Sequence, residues 1–234
     1  MRKLVLILLI SVTTACSSTP KGNGKSKSEG SVKKGKLVNG RRFSRKKDNY
    51  KYFSFLSYIL FNRAWVHSKV LDITLDAYKE CEVKHPKRKF LIMECSNKKG
   101  GEMWPHRTHQ NGTSIDFGSP LLKNKRPFTR DHSYGLRHYA MKFDTNGRLL
   151  RNKKIEIDFE IMAQHILALE VAARKRNMFV KKVLLKINLK DDLFKTKSGK
   201  LLKKSNIYFA KYLQPIIDNM HDDHYHIDFG FIKN

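Results

Sequence analysis

Two histidine-rich segments more than a hundred residues apart constrain this chain more than anything else in it. One runs Pro105-His106-Arg107-Thr108-His109-Gln110-Asn111-Gly112-Thr113-Ser114-Ile115-Asp116, the other His221-Asp222-Asp223-His224-Tyr225-His226, and they hold five of the ten histidines. A fold that keeps them apart leaves satisfied polar residues at a sheet edge, with Asp222 and Asp223 balancing charge. A fold that joins them packs several imidazoles together, and a bound metal is the simplest agent that keeps such rings neutral at one point. Imidazole nitrogen and carboxylate oxygen suit zinc, which in hydrolytic sites takes three protein ligands and leaves a position for water.

Local spacing supports the joined reading. His224 and His226 are two residues apart, so in a strand both side chains leave the same face. The stretch Ser114 to Gly118 alternates in the same way, with Ser114, Asp116 and Gly118 on one face and Ile115 and Phe117 on the other. His109 and Asp116 are separated by a segment containing Gly112, and a turn there brings imidazole and carboxylate together.

The N-terminus carries Arg2 and Lys3, an apolar run from Leu4 to Val12, and small residues ending at Cys16. That pattern reads as a signal peptide over 1–15, too short for a confident membrane span. The small residues before Cys16 resemble a bacterial lipobox, so Cys16 is expected to be acylated and to anchor the chain to the periplasmic face of the outer membrane. Residues 16–49 are rich in Gly, Ser, Lys and Arg, with almost no large apolar residue, which predicts a flexible basic tether. Cys81 and Cys95 then remain as the two thiols of an exported chain, and an oxidising compartment predicts a disulfide between them. The formal charge of +27 favours anionic partners. Nucleic acid is excluded as a partner by the leader and by the lack of a recognition motif. Nothing in the sequence specifies an oligomeric state.

Folded structure is expected from about Tyr50, giving one domain over 50–234. Tyr58 to Phe61 reads as a short strand, and Val66, Val70, Ile73 and Ala77 predict a helix that fades at His85-Pro86. Phe90 to Met93 and Phe179 to Ile187 read as strands, and Tyr139 to Phe143 as a strand closing at the turn Asp144 to Gly147. Ile157 to Arg174 is the strongest helix signal, a short helix is expected over Asn206 to Leu213, and Phe229 and Phe231 alternate in a last strand. Helices interspersed with strands but without regular βαβ units predict an α+β fold, a small antiparallel sheet flanked by helices. Trp104 is assigned to core packing, and His132 and His138 are the two scattered histidines expected nearest the cleft.

The residues Gly100-Gly101, His106-x-x-His109-Gln110-x-Gly112-x-x-x-Asp116 and His221-x-x-His224-x-His226 resemble the penicillin-insensitive murein endopeptidases, within the wider group holding lysostaphin-like enzymes and D-Ala-D-Ala carboxypeptidases. The likeness covers roughly Tyr58 to the end. It implies a zinc site with His109, Asp116 and His226 as ligands, His224 as general base with His221 as a further catalytic residue, and His106 as additional support to metal or substrate. Zinc in such a site lowers the pKa of its water from about 15.7 toward about 7. The implied reaction is hydrolysis of D-Ala to meso-diaminopimelate crosslinks in peptidoglycan. A D,D-carboxypeptidase of stem peptides and a non-catalytic wall-binding lipoprotein are the alternatives. Two departures stand out: Ser114-Ile115-Asp116-Phe117 replaces the usual run around the aspartate, and Asp144, near a second metal position of some relatives, has no adjacent histidine.

Overall fold

A computed structural model describes residues 24–129, 138 and 140–233. The predicted leader over 1–15, Cys16 and His132 lie outside these residues.

The expected tether is corrected from residue 24 onward. Strands β1 (Lys27–Gly30) and β2 (Gly35–Val38) form an antiparallel hairpin, and β3 (Arg41–Arg42) follows. Polar, lysine-rich strands lack the apolar alternation that marks a strand in a sequence, yet backbone hydrogen bonds need no particular side chain. The hairpin is fastened through Leu37, which is buried, and whose N–H donates to the Lys99 carbonyl at 3.0 Å.

β4 (Tyr50–Tyr52) leads into α1 (Phe55–Ile59), where a strand was expected to begin at Tyr58. Ser54 supplies the reason: its hydroxyl accepts from the Ser57 N–H and caps a helical turn. β5 (Trp65–Val66) pairs with β3 and takes Val66 out of the expected helix; α2 (Ser68–Lys84) carries Val70, Ile73 and Ala77 as predicted and stops before Pro86. β6 (Phe90–Ile92), β7 (Ser114–Gly118), β8 (Leu121–Lys123), β9 (Arg126–Phe128) and β10 (Ile155–Ile157) precede α3 (Phe159–Arg174), whose N-terminus is capped by Asp158. Between β9 and β10 the predicted turn at Asp144 is present, with the Gly147 N–H donating to the Asp144 carbonyl at 3.0 Å. The expected strand before it shrinks to a single bridge, Phe143 to Leu149; Tyr139 is outside the described residues.

β11 (Met178–Leu184) is followed by α4 (Lys190–Lys195), α5 (Lys197–Lys204), α6 (Pro215–Met220) and β12 (His224–Phe231). The helix expected over Asn206 to Leu213 is absent. That stretch runs extended beside β11, where the Val183 N–H donates to the Tyr208 carbonyl at 2.8 Å, and helices form on either side at Thr196, which caps α5, and at Pro215.

The main sheet has the order β11-β12-β7-β6-β4, antiparallel except for the parallel edge pair of β4 and β6. β7 and β12 are its centre, and their alternation divides the molecule. Ile115, Phe117, Tyr225, Ile227 and Phe229 face a core closed by α2 and α3, where Tyr78 stacks on Phe90 and His165 meets Phe117 edge-on. Ser114, Asp116, Gly118, His224, His226 and Asp228 occupy the other face. The result is an α+β fold of mixed helices and small sheets. Among the described residues no helix is long and apolar enough to cross a membrane.

Cys81 and Cys95 are both free and buried, so the expected disulfide is corrected. Cys81 sits in α2 and Cys95 follows β6, and each thiol packs in the core as a small apolar group. Burial pushes the Cys81 thiol up to about 12 and Cys95 well above its ordinary value, so neither is a ready thiolate.

Candidate metal and hydrolytic centre

The two histidine segments meet across β7 and β12. Their antiparallel register pairs His226 with Asp116, His224 with Gly118 and Asp228 with Ser114. His226 directs Nδ1 to Asp116 Oδ1 at 2.7 Å, while His109 Nε2 lies 3.2 Å and His106 Nδ1 3.8 Å from Asp116 Oδ2. All four side chains are largely or wholly withdrawn from water.

Each arrives from a different local device. Asp116 is held in β7, its N–H donating to the Glu94 carbonyl at 2.9 Å and its carbonyl accepting from Met93 at 2.7 Å. His109 adopts a left-handed backbone, φ 68°, which non-glycine residues seldom take and which recurs at functional positions. The glycines around it explain the spacing of the segment. Gly112 has φ 74°, and a Cβ there would meet the Leu37 side chain at 2.8 Å; Gly100 has φ 71°, and a Cβ would strike the Gln110 carbonyl.

The N-terminal hairpin is the other half of this support. The Gln110 N–H donates to the Val32 carbonyl at 3.0 Å, the Gly101 N–H to the Gly35 carbonyl at 3.1 Å, and the Asn111 amide to the Gly30 carbonyl at 3.4 Å. A segment whose composition resembles a linker therefore braces the loop carrying His106 and His109.

His221 closes α6, its Nδ1–H donating to the Ile217 carbonyl at 2.6 Å, which leaves Nε2 as the free lone pair. His224 donates Nδ1–H to Asp223 at 2.9 Å, and Asp223 also lies 3.3 Å from His138 Nδ1. The His221 and His224 rings are 4.9 Å apart. Asp222 does more than balance charge: buried, it accepts from Lys142 at 2.6 Å and Lys186 at 2.5 Å and so anchors the entry to β12.

Electrostatics sorts these groups into two kinds. Burial lowers His106 to about 3 and His221 to about 4, so both are neutral near pH 7. Burial also opposes charge on His224 and His226, but adjacent carboxylates outweigh it: Asp223 raises His224, while Asp228 and Asp116 raise His226 to about 10. Asp116, although burial alone would raise it, is held well below the carboxylate range by His109 and His226.

The donor set fits a metal ion. His106, His109 and Asp116 each offer a ligand atom, all within 4.8 Å of one another, and His226 reaches the same carboxylate from the opposite strand. Ligands of a tetrahedral zinc at about 2.1 Å stand roughly 3.4 Å apart, and His109 Nε2 and Asp116 Oδ2 stand 3.2 Å apart. A second group of that kind, His138, Asp223 and His224, lies beside it.

These side chains open on a cavity of about 520 Å³. His106, His109, Asp116, His221, His224 and His226 all line it, so every sequence-predicted metal or catalytic residue among those described is at one place. Tyr208, Tyr212 and Ile217 make an apolar wall, and Lys33, Arg107 and Lys182 give the cavity a cationic side. Trp104 is 86 % exposed, so its assignment to the core is corrected; it stands in the loop just ahead of His106. Asp144 is engaged with Lys153 at 2.5 Å and is not among the cavity residues.

Four contributors escaped the sequence reading: Asp223 as partner of His224, Asp228 as partner of His226, and Lys33 and Lys182 in the cavity. Asp228 had a visible signal, since His224-x-His226-x-Asp228 continues one strand face. Lys33 had none, because its place depends on the hairpin.

No curated protein matches the chain. The family model of the penicillin-insensitive murein endopeptidases matches residues 28–230, a span that takes in both histidine segments and nearly all of the hairpin and of the strands that join them. That match over most of the chain, together with the convergence of the two segments in one cleft, means that the chain belongs to the penicillin-insensitive murein endopeptidase family.

Proposed function

We propose that this protein is a zinc-dependent endopeptidase that hydrolyses the D-Ala to meso-diaminopimelate crosslink of peptidoglycan. The family acts on murein as a peptidase, and the observation carrying the finer reading is the meeting of His109, Asp116 and His226 beside a histidine oriented by a carboxylate, His224 with Asp223.

His109 through Nε2, Asp116 through its carboxylate and His226 through Nδ1 would hold the ion, with His106 adjacent. Zinc there supplies Lewis acidity to water and to the scissile carbonyl. The remaining work falls to the chain. Asp223 fixes the His224 ring with Nδ1–H engaged, so that Nε2 faces the cleft and can take a proton from water and return it to the leaving amine. His221, neutral and with Nδ1–H bound to a carbonyl, presents a second lone pair and would accept a hydrogen bond from the attacking water or the substrate amide. Arg107 and Lys33 suit the carboxylates of stem peptides. The leader and Cys16, as read from the sequence, would place the enzyme as a lipoprotein on the periplasmic face of the outer membrane.

Digestion of purified crosslinked muropeptides, followed by chromatography and mass analysis, tests the reading. Zinc-dependent conversion of dimers to monomers, blocked by a chelator and restored by zinc, is the expected result. Loss of terminal D-Ala without loss of dimers would instead identify a carboxypeptidase, and unchanged muropeptides a binding protein.

A further inference from the structure

His226 is flanked by two buried carboxylates, and their surroundings differ in kind. On one side Asp116 is met by His109 and His106, whose nitrogens offer lone pairs as well as donors. On the other, Asp228 Oδ1 lies 2.7 Å from His226 Nε2 and accepts from the Ser114 hydroxyl at 2.6 Å, while Oδ2 lies 2.9 Å from the Lys182 ammonium. A carboxylate already surrounded by an ammonium, a hydroxyl and an imidazole N–H has no room for a cation. The metal side of His226 is therefore Nδ1, and its outer side is Nε2.

We propose that Asp228 is the positioning residue for His226: it accepts a hydrogen bond from Nε2–H, so that with zinc bound the ring keeps its proton on Nε2 and turns the Nδ1 lone pair toward the ion's place beside Asp116, and it fixes the ring plane. The inference rests on the zinc reading given above. Strand geometry makes the arrangement stiff. Asp228 follows His226 by two residues on the same face of β12, and its cross-strand neighbour is Ser114, so two main-sheet strands hold the carboxylate where the ring needs it. Lys182 comes from the neighbouring strand β11, where its register partner is Asp228 itself. By pairing with Oδ2 it offsets the charge of Asp228 and leaves Oδ1 for the imidazole. Outer carboxylates of this kind raise the basicity of a ligating histidine and commonly govern metal affinity by 10–100-fold.

The test compares the mature wild-type protein with Asp228→Ala and Asp228→Asn. Zinc affinity is measured by competition with a chromophoric chelator, and the His226 tautomer by long-range proton–nitrogen spectra of zinc-loaded protein. Wild type should show His226 protonated on Nε2 alone. Asp228→Ala should bind zinc roughly 10–100-fold more weakly and lose kcat with little change in KM, while Asp228→Asn, which keeps an acceptor oxygen, should recover most of the affinity. Equal zinc affinity in wild type and Asp228→Ala, or a His226 protonated on Nδ1, overturns the proposal. If Asp228→Ala does not fold, Asp228→Ser, polar but too short to reach Nε2, takes its place under the same criteria. Wild-type protein that binds no zinc defeats the underlying zinc reading rather than this assignment, so the two failures are distinguishable.

Discussion

Asp116 and His226, separated by 110 positions in the chain, are direct cross-strand partners in the central sheet and touch at 2.7 Å. The site is thus built into the β7 and β12 register. A slip of one residue would turn His226 to the core and Tyr225 to the cleft, because side-chain direction in a strand alternates with period two. Tyr225 is itself pinned from below, its hydroxyl 2.6 Å from His165 Nδ1.

Asp116→Ala and His226→Ala should each abolish metal binding and crosslink hydrolysis together, with activity down by more than about 100-fold, since removal of a ligand exceeds the 10–100-fold effect of an outer partner. Metal content after chelation and zinc reloading, measured beside muropeptide turnover, checks this. Full turnover in either variant refutes the assignment.

Asp223→Asn keeps the size of the residue but removes the charge that orients His224. A fall in kcat of about 10²-fold with KM nearly unchanged is expected, within the range set by positioned acid–base groups. Zinc affinity should change far less than kcat. Parallel losses of both would place Asp223 with the metal instead.

The buried His165 makes stability depend on pH. Burial lowers it to about 3, against about 6.5 in the unfolded chain, so between those values the unfolded state binds the extra proton and stability is lost as pH falls. Glu94 acts in the opposite sense. Burial raises it to about 7, so the folded state holds the proton and stability is lost as pH rises from about 4.5 to about 7. Urea midpoints across pH 4 to 8 should show His165→Phe flattening the acid side and Glu94→Gln flattening the rise-side loss. His165→Phe should also cost about 1–3 kcal/mol at neutral pH by leaving the Tyr225 hydroxyl unsatisfied.

Removal of the N-terminal hairpin should disable the site without touching a histidine. A chain starting at Gly24 retains the bonds from Val32, Gly35 and Gly30 to the Gly101 to Asn111 loop, and one starting at Gly40 loses them all. The longer chain should keep wild-type melting and turnover. The shorter should lose several degrees in Tm and at least about tenfold in activity, as a loop-positioning loss implies.

Thiol labelling distinguishes free cysteines from a bridge. In a chain starting at Gly24, Cys81 and Cys95 should resist a thiol reagent while folded and react fully in denaturant without reductant. Failure to react in denaturant would restore the disulfide.

Wherever function or burial leaves a periodic mark, the sequence was sufficient. The strand faces of Ser114 to Gly118 and His224 to His226 and the helices α2 and α3 are legible from spacing, because side chains leave a strand every second residue and a helix every 3.6, whereas the set of histidines and the aspartate that share a cleft was implied by the family resemblance of the two segments. Three matters were decided only by tertiary structure. The hairpin at Lys27 to Val38 pairs its own two strands and is fastened by backbone hydrogen bonds to a distant loop, neither of which polar side chains announce. Cys81 and Cys95 stay apart because helix and sheet packing, not the compartment, sets where each thiol lies. The pairing of His226 with Asp116 on one edge and Asp228 on the other depends on strand register and on Lys182 from the neighbouring strand. Local pattern specifies which face a residue occupies, while the partner across that face depends on how distant segments close against one another.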